Sequence, residues 1–267
     1  MGYTNPGLPN SDHVVAWDMT DMTSVHITGN YAAYDPGNTV TRHIEKRKQE
    51  TPLPYDGTAW RLLFYAHDLR SNTLELGVSR GRYSEYRFTS LDEDLRKAVP
   101  DPKQWFTALA LGILAITDDE KFLVFRRPSD AHLSPNTWDL PCGHPSTLME
   151  TPSDYILTQA LGKILAKECG YDIPFTNQRP LVLVREEPKN AYDLVFLARI
   201  YGTSDEIQAR LTTKKEFCFI SAEPDSIDGF LLYNLLSRPL PSALLYYGRK
   251  NTGFGEEWFM RHCREKN

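Results

Sequence analysis

Trp138-Asp139-Leu140-Pro141-Cys142-Gly143-His144, followed by Lys163-Ile164-Leu165-Ala166-Lys167-Glu168-Cys169-Gly170-Tyr171, is the stretch on which the reading of this chain turns. A continuous apolar run precedes it over residues 108–117, as in a strand buried on both faces. Asp118-Asp119-Glu120 makes a turn, and residues 121–127 return as a second strand. On that strand Phe122, Val124 and Arg126 face opposite to Leu123, Phe125 and Arg127. Residues 128–146 then form a loop too long to be idle inside a compact domain. A helix is expected over residues 153–169, where Leu161, Ile164, Leu165 and Glu168 share one face. Strands at 180–185 and 192–201, a helix at 205–211, a strand at 216–220 and helical segments at 228–236 and 241–249 complete this half. The alternation predicts an α/β fold.

Upstream the sequence is richer in turns. Asn5-Pro6-Gly7, Asp35-Pro36-Gly37 and Pro52-Leu53-Pro54 interrupt any long element, and residues 13–17 and 24–28 read as short strands. Residues 42–50 are strongly charged and read as a solvated segment or edge. A hairpin is expected from 60–66 and 73–78 around the turn 68–72, with 83–89 as a further strand. Ser90 is an N-cap candidate for a helix over 90–98, with acids early and Arg96 and Lys97 late. Pro100 and Pro102 end it. The division expected is a small β-rich N-terminal region over 1–104 and a main domain over 105–267 that includes the C-terminal helices.

Bulk composition bounds the function classes. The 267 residues carry a net charge of -5, with 41% hydrophobic and 24% charged residues. Mean hydropathy is -0.45 and the pI is near 5.8. This acidic balance gives no general attraction to nucleic acid or anionic membrane, so any anion site must be local. No apolar run reaches membrane length. The start of the sequence is too polar for a secretory signal, and Pro6 stands where a myristoylation motif wants Ser or Thr. Cys142, Cys169, Cys218 and Cys263 are scattered without metal-site spacing and read as reduced thiols in a cytoplasmic protein.

The strand hairpin, the Trp-x-Leu-Pro loop and the helix ending in Glu-Cys-Gly-Tyr, taken in that order, resemble the Nudix superfamily over residues 107–221. Gly-His-Pro at 143–145, with the N-terminal extension, is loosely similar to the branch that cleaves UDP-sugars. The resemblance implies a Nudix-type α/β/α sandwich with a mixed sheet. It also implies hydrolysis of a diphosphate linkage assisted by Mg²⁺ on helix carboxylates, because Mg²⁺ demands hard oxygen ligands. Set on Gly170, the family's R-E-U-x-E-E-x-G-U pattern keeps one of its three ridge carboxylates, Glu168; the other two positions hold Ile164 and Lys167. The family's more distal Glu falls on Met149, beside Glu150, with about five residues more before the helix than the pattern has. Glu168 and Glu150 are therefore the metal candidates, and one carboxylate on the helix cannot build a Mg²⁺ cage by itself.

Catalytic candidates are Glu168, His144 and Glu150; substrate-binding candidates are Arg126, Arg127, Trp138 and Cys142. Glu168 can equally be a salt-bridging acid at the helix end. His144 titrates near neutrality and sits in the loop that would face a pocket, whereas His132 reads as a surface residue. Cys142 lies two residues from His144, which raises a Cys–His pair as an alternative to a plain loop thiol. One of Arg126 and Arg127 should face the cleft and suit phosphate or carboxylate. Trp138 and Pro141 fix the loop or line the pocket. Glu186, Glu187 and Asp193 flank a hairpin and are alternative ligands from outside the helix.

Three functions are open. The first is a divergent Nudix hydrolase cleaving a diphosphate linkage in a nucleotide-sugar or other small metabolite. The second is a metal-independent Nudix-fold isomerase, cyclase or lyase of secondary metabolism, using His144 or Glu168 for proton transfer. The third is a non-catalytic ligand-binding module. Each implies a small-molecule partner, no nucleic acid and no membrane, and leaves room for a homodimer.

Overall fold

The central strand β6 (Ala108–Ile116) organises the molecule, because its apolar residues are covered on both faces. The computed structural model describes residues 3–4, 14–22, 24–30, 34–53, 56–68, 70–101, 104–131, 133–145, 154–186, 190–237, 239–250 and 254–264. Along one edge β6 pairs in parallel with β11 (Ala191–Ile200). Beyond β11 come β10 (Phe175–Glu186), β2 (Val14–Asp18) and β1 (Tyr3–Thr4), each antiparallel to its neighbour. The other edge of β6 is shared among three strands in turn. β4 (Thr58–Asp68) pairs at Ala108 and Leu109, β9 (Cys142–Gly143) at Leu111 and Gly112, and β7 (Lys121–Arg126) at Ala115 and Ile116.

This division opens the sheet. β4 leaves toward β5 (Thr73–Arg82), which pairs in parallel with β3 (Ser24–Asn30). β7 leaves toward β8 (Trp138–Asp139) and β12 (Phe217–Ser221). The loop carrying β8 and β9 fills the gap between the two branches, and its Leu140 lies against Gly112. A Cβ on Gly112 would stand 2.4 Å from the Leu140 side chain, so the absence of a side chain there seats the loop. Among the described residues the result is one mixed sheet of twelve strands, and the elements on either side of residue 104 share it.

Helices cover both faces. Helix α4 (Asp154–Cys169) buries Ile156, Leu157, Ala160, Leu161, Ile164 and Leu165 against Leu109, Leu111 and Ile113 of β6 and Leu194 and Phe196 of β11. At about 1.5–3 kcal/mol for each buried aliphatic side chain, this one face outweighs any intrinsic helix preference. The opposite face holds α7 (Pro239–Lys250), whose Leu240, Ala243 and Leu244 lie with Leu114, Val124, Val182 and Val195. α6 (Pro224–Tyr233) and α8 (Gly255–Arg264) complete that layer, and α5 (Ser204–Arg210) follows β11. The expected α/β/α sandwich with a mixed sheet is realised.

The N-terminal half departs from expectation in three places. The charged stretch read as a solvated segment is helix α1 (Asn38–Glu50), which buries Val40 and Ile44, one turn apart, and turns its charges outward. Residues 83–89, read as a strand, form helix α2 (Tyr83–Thr89). The Asp56 carboxylate, distant in sequence, accepts from Ser84 N and Oγ, both at 2.8 Å, and so caps its first turn. Helix α3 (Glu93–Ala98) is capped two residues later than expected: Asp92, not Ser90, accepts from the backbone of Asp94 and Leu95 at 3.1 Å. Ser90 instead donates to Phe106 O inside the core. Asp92 also accepts from Arg47 Nε at 2.9 Å and lies 3.1 Å from His43 Nε2, tying α1 to α3. α8 had no counterpart among the expected C-terminal helices.

Candidate functional site

The gap between the branches of the sheet holds two adjoining cavities, of about 310 and 190 Å³. Tyr83, Arg127, Leu133, Asp139 and Cys142 border both. The larger cavity lies over the end of α4, and Glu168 and Lys167 reach its wall. The smaller lies where β6 and β11 begin. In the parallel register Ala108 and Ala110 stand beside Ala191 and Asp193, and alternation puts all four on one face. Three of these are methyl side chains, which leaves room that larger residues would fill.

At the end of α4, Gly170 has a φ of +80°, and its N–H donates to Ala166 O at 2.8 Å. A Cβ there would lie 2.3 Å from Thr212 Oγ1. Left-handed geometry and close approach both require glycine. The loop after Thr212 returns over the helix end and places the Lys215 ammonium on the Glu168 carboxylate. Glu168 is 7% exposed, so its charge is met mainly by this lysine. Ile164 is equally buried and serves the core, while Lys167 is exposed.

This donor set does not suit Mg²⁺. α4 presents one carboxylate, already occupied by an ammonium, with a second ammonium one residue before it. Among the described residues no group of three or more His, Cys, Asp or Glu side chains is arranged to hold a metal. Glu150, Glu187 and His132 lie outside the described residues.

Asp139 is the second buried carboxylate, 3% exposed. It accepts from Arg127 Nη1 at 2.8 Å, from Leu140 N at 2.9 Å and from the Cys142 thiol at 3.3 Å. Burial pulls its pKa up, opposed by Arg127 and by the hydrogen bond from Cys142. For Arg127, burial acts downward, yet the Asp139 carboxylate holds its pKa above the ordinary value. Arg127 borders both cavities, and its Nε is buried with no acceptor among the described residues. Burial drives the Cys142 thiol well above its usual range, and Asp139 and Asp193 add to this. Cys142 is thus a protonated thiol bonded to a carboxylate, and the hydrogen-bond partner of its sulfur is Asp139 rather than His144.

His144 is half-buried beside β6, with Nδ1 3.4 Å from Leu109 O. A carbonyl only accepts, so Nδ1 carries the hydrogen and Nε2 keeps its lone pair. Burial lowers the pKa to about 4, helped by Lys167, so the ring is neutral at physiological pH. The rings of Tyr83 and Tyr86, from α2, flank it at 5.9 and 5.6 Å between centroids.

Of the residues singled out in the sequence, Glu168, Arg127 and Cys142 meet in the larger cavity, and Cys142, Arg127 and His144 in the smaller. Arg126 stands at the rim, paired with Glu216 at 3.0 Å. Trp138 borders neither cavity. Its ring lies 6.1 Å from that of Phe230, and its backbone bonds to Leu235 O and Ser237 N, so it anchors the loop to the chain after α6. Glu186 and Asp193 line the smaller cavity. Sequence reasoning missed Lys215, Asp139, Tyr83 and Tyr86. Asp139 sits at the variable position of the Trp-x-Leu-Pro loop, and Lys215 in a loop whose position over α4 only the fold reveals.

No protein-family model matches the sequence, and no curated protein matches it. Among solved structures the chain is similar to the MutT protein from Methanosarcina mazei Go1, at 17% identity over 54% of this chain and 94% of that one, with a TM-score of 0.39. It is similar to the Nudix hydrolase RenU from M. smegmatis, at 15% identity over 51% and 80%, TM-score 0.35. NrtR from Shewanella oneidensis, solved in complex with a 27mer DNA, matches at 14% identity over 53% and 61%, TM-score 0.36. Likenesses this distant say nothing of activity. The order of hairpin, loop and helix, with α4 and α7 on opposite faces of a mixed sheet, makes the chain an α/β/α sandwich.

Proposed function

We propose that this chain is a divergent Nudix-fold enzyme that takes a phosphorylated small molecule into the cleft and hydrolyses a diphosphate linkage in it. The observation that carries the reading is charge. Arg126, Arg127, Lys167 and Lys215 border the larger cavity; Glu216, Asp139 and Glu168 pair with the first, second and last, which leaves the Lys167 ammonium in excess, in a chain whose net charge is -5. A local cationic surplus inside an acidic protein fits an anionic ligand.

In this scheme Arg127, Lys167 and Lys215 take up the phosphate charge that a divalent cation would otherwise neutralise. Glu168, oriented by Lys215, accepts a proton as a water oxygen bonds to phosphorus. The bridging P–O bond breaks and its electron pair leaves with the departing phosphate, whose charge the same cations meet. Calorimetric titration with inorganic pyrophosphate in the presence of a chelator tests the binding half. Binding that weakens with added salt and is at least tenfold weaker in Lys215→Ala supports it, and no binding at millimolar pyrophosphate refutes it. For the chemistry, phosphate release from a panel of nucleotide-sugars and other diphosphates is compared between the wild type and Glu168→Gln. Undiminished turnover in the variant would remove Glu168 from the scheme.

One observation favours a second reading. A neutral His144 with a free Nε2 lone pair, enclosed by two tyrosines, suits proton transfer to or from a carbon or oxygen acid, as in a metal-independent isomerase or lyase. It predicts turnover that survives Lys215→Ala and is lost in His144→Gln.

A further inference from the structure

We infer that the chain associates head to tail with a second copy of itself, the apolar tip at the end of α6 of one copy seating in a groove beside β4 of the next. Among the described residues seven large apolar side chains are exposed, and six of them fall into two groups: Leu63, Phe64 and Tyr65, and Leu232, Tyr233 and Leu235. The first group borders a cavity, and the second protrudes.

The groove comes from a strand that overruns its neighbour. β4 pairs with β6 at Trp60 and Arg61, and Leu62 N donates to Thr107 O at 2.8 Å, but β6 begins only at Ala108. A bulge between Leu62 and Phe64 then shifts the register with β5. Past it, the strand pairs with β5 alone among the described residues. A cavity of about 440 Å³ opens between this overrun and the start of β11, where Leu63, Phe64 and Tyr65 face Thr107, Asn190 and Tyr192. Its walls are fixed. The Phe64 ring lies on Gly77, where a Cβ would stand 2.1 Å from it. Tyr65 packs on Trp17 and Tyr192, at 5.6 and 5.8 Å between centroids, and Asn190 Nδ2 donates to Thr107 Oγ1 at 2.9 Å.

The tip has an equally firm base. α6 packs Ile227, Phe230 and Leu231 inward, spaced i, i+3, i+4, which leaves Leu232 and Tyr233 outward at its end. The chain beyond is clamped to β8: Trp138 N donates to Leu235 O and Ser237 N to Trp138 O, both at 2.8 Å. Leu236 packs inward there, and Leu235 points out. Exposures of 69%, 86% and 72% at Leu232, Tyr233 and Leu235 put the tip proud of the surface.

Tip and groove match in character. Residues 229–237 carry no charged side chain, so the contact adds no like charge to that of two acidic copies. Aliphatic and aromatic surface lies on both sides. Tyr233 brings a ring for the Phe64 and Tyr65 wall and a hydroxyl for the Asn190–Thr107 pair, the combination that suits tyrosine to interfaces. The two groups lie on different branches of the sheet, so the contact joins unlike surfaces and either closes into a ring or propagates.

Sedimentation velocity of the full chain between about 5 and 200 µM tests this, the range in which a small transient interface is populated. Wild type should associate, and the association should survive about 0.5 M salt, which screens charge but not apolar contact. Leu232→Ser/Leu235→Ser in the tip and Phe64→Lys in the groove should each weaken it at least tenfold with an unchanged thermal midpoint; Leu63→Glu serves as the groove variant if Phe64→Lys lowers that midpoint. Mixed one to one, the tip and groove variants should form a dimer and go no further, since one keeps its groove and the other its tip. A wild type that stays monomeric overturns the inference, as does a mixture that fails to dimerise or a tip variant that associates like wild type. Monomers that bind phosphatidylcholine vesicles through Leu232 and Leu235 would make the tip a lipid contact and overturn it too.

Discussion

Replacing Lys215 by Met strands the Glu168 carboxylate. The Glu168 side chain is 9% exposed and that of Lys215 34%, so the pair lies between the buried and surface classes. Removing one partner of a buried pair costs about 3–5 kcal/mol, and removing an exposed pair costs about 0–1 kcal/mol. With the ammonium a third exposed, the expected loss at pH 7.5 is about 2 kcal/mol in urea unfolding, with an unchanged denaturant slope. One feature separates stranded charge from lost packing. Adding Glu168→Gln to Lys215→Met should restore at least half of the loss, because the uncompensated charge is then gone. A Lys215→Met protein within 0.5 kcal/mol of wild type, or one whose deficit is unchanged by Glu168→Gln, would refute the reasoning.

Arg127→Met leaves Asp139 fully buried without its cation and should cost about 3 kcal/mol by urea unfolding, with Arg127→Met/Asp139→Asn recovering part of it. The folded-state pKa of His144 is lowered from 6.5 to about 4. The unfolded chain therefore binds the proton more readily, and the contribution of His144 to stability, present above pH 6.5, is lost as pH falls toward 4. That limb amounts to about 3 kcal/mol at most, since the ring is part-exposed, and should flatten in His144→Gln when stability is followed from pH 7 to 4. Gly170→Ala meets both the positive φ and Thr212, and should lower stability by at least about 1–2 kcal/mol in thermal or urea unfolding, whereas an unchanged midpoint would contradict the local geometry.

The central strands and α4 were legible because their signals are local. The apolar run of β6, the alternation of β7 and the buried face of α4 are each written within one element. Ile164 and Lys167 stand, in sequence, where the resemblance implies carboxylates. Elsewhere the decisive partner was distant in sequence. α2 looked like a strand because Tyr83, Tyr86 and Phe88 are large and the capping Asp56 is far upstream. α1 was hidden by its charge, since only Val40 and Ile44 face inward. The site divides the same way. Glu168, His144 and Cys142 came from the motif and Arg127 from the alternation of its strand, but Lys215 reaches Glu168 only through the return of the chain after α5. The tyrosine wall exists only because the N-terminal helices close over the start of β6. Trp138 was given weight by its place in the loop, yet its indole serves the packing beneath α6.

Whether the cleft beside α4 holds phosphate is decided by anomalous diffraction from crystals of the full chain soaked in tungstate, a heavy stand-in for phosphate. The expected result is a tungsten peak in the larger cavity, within hydrogen-bond reach of Arg127 and Lys215, that disappears in Arg127→Met. Tungstate bound only outside the cavity, with Arg127 and Lys215 still closed on Asp139 and Glu168, would contradict the account.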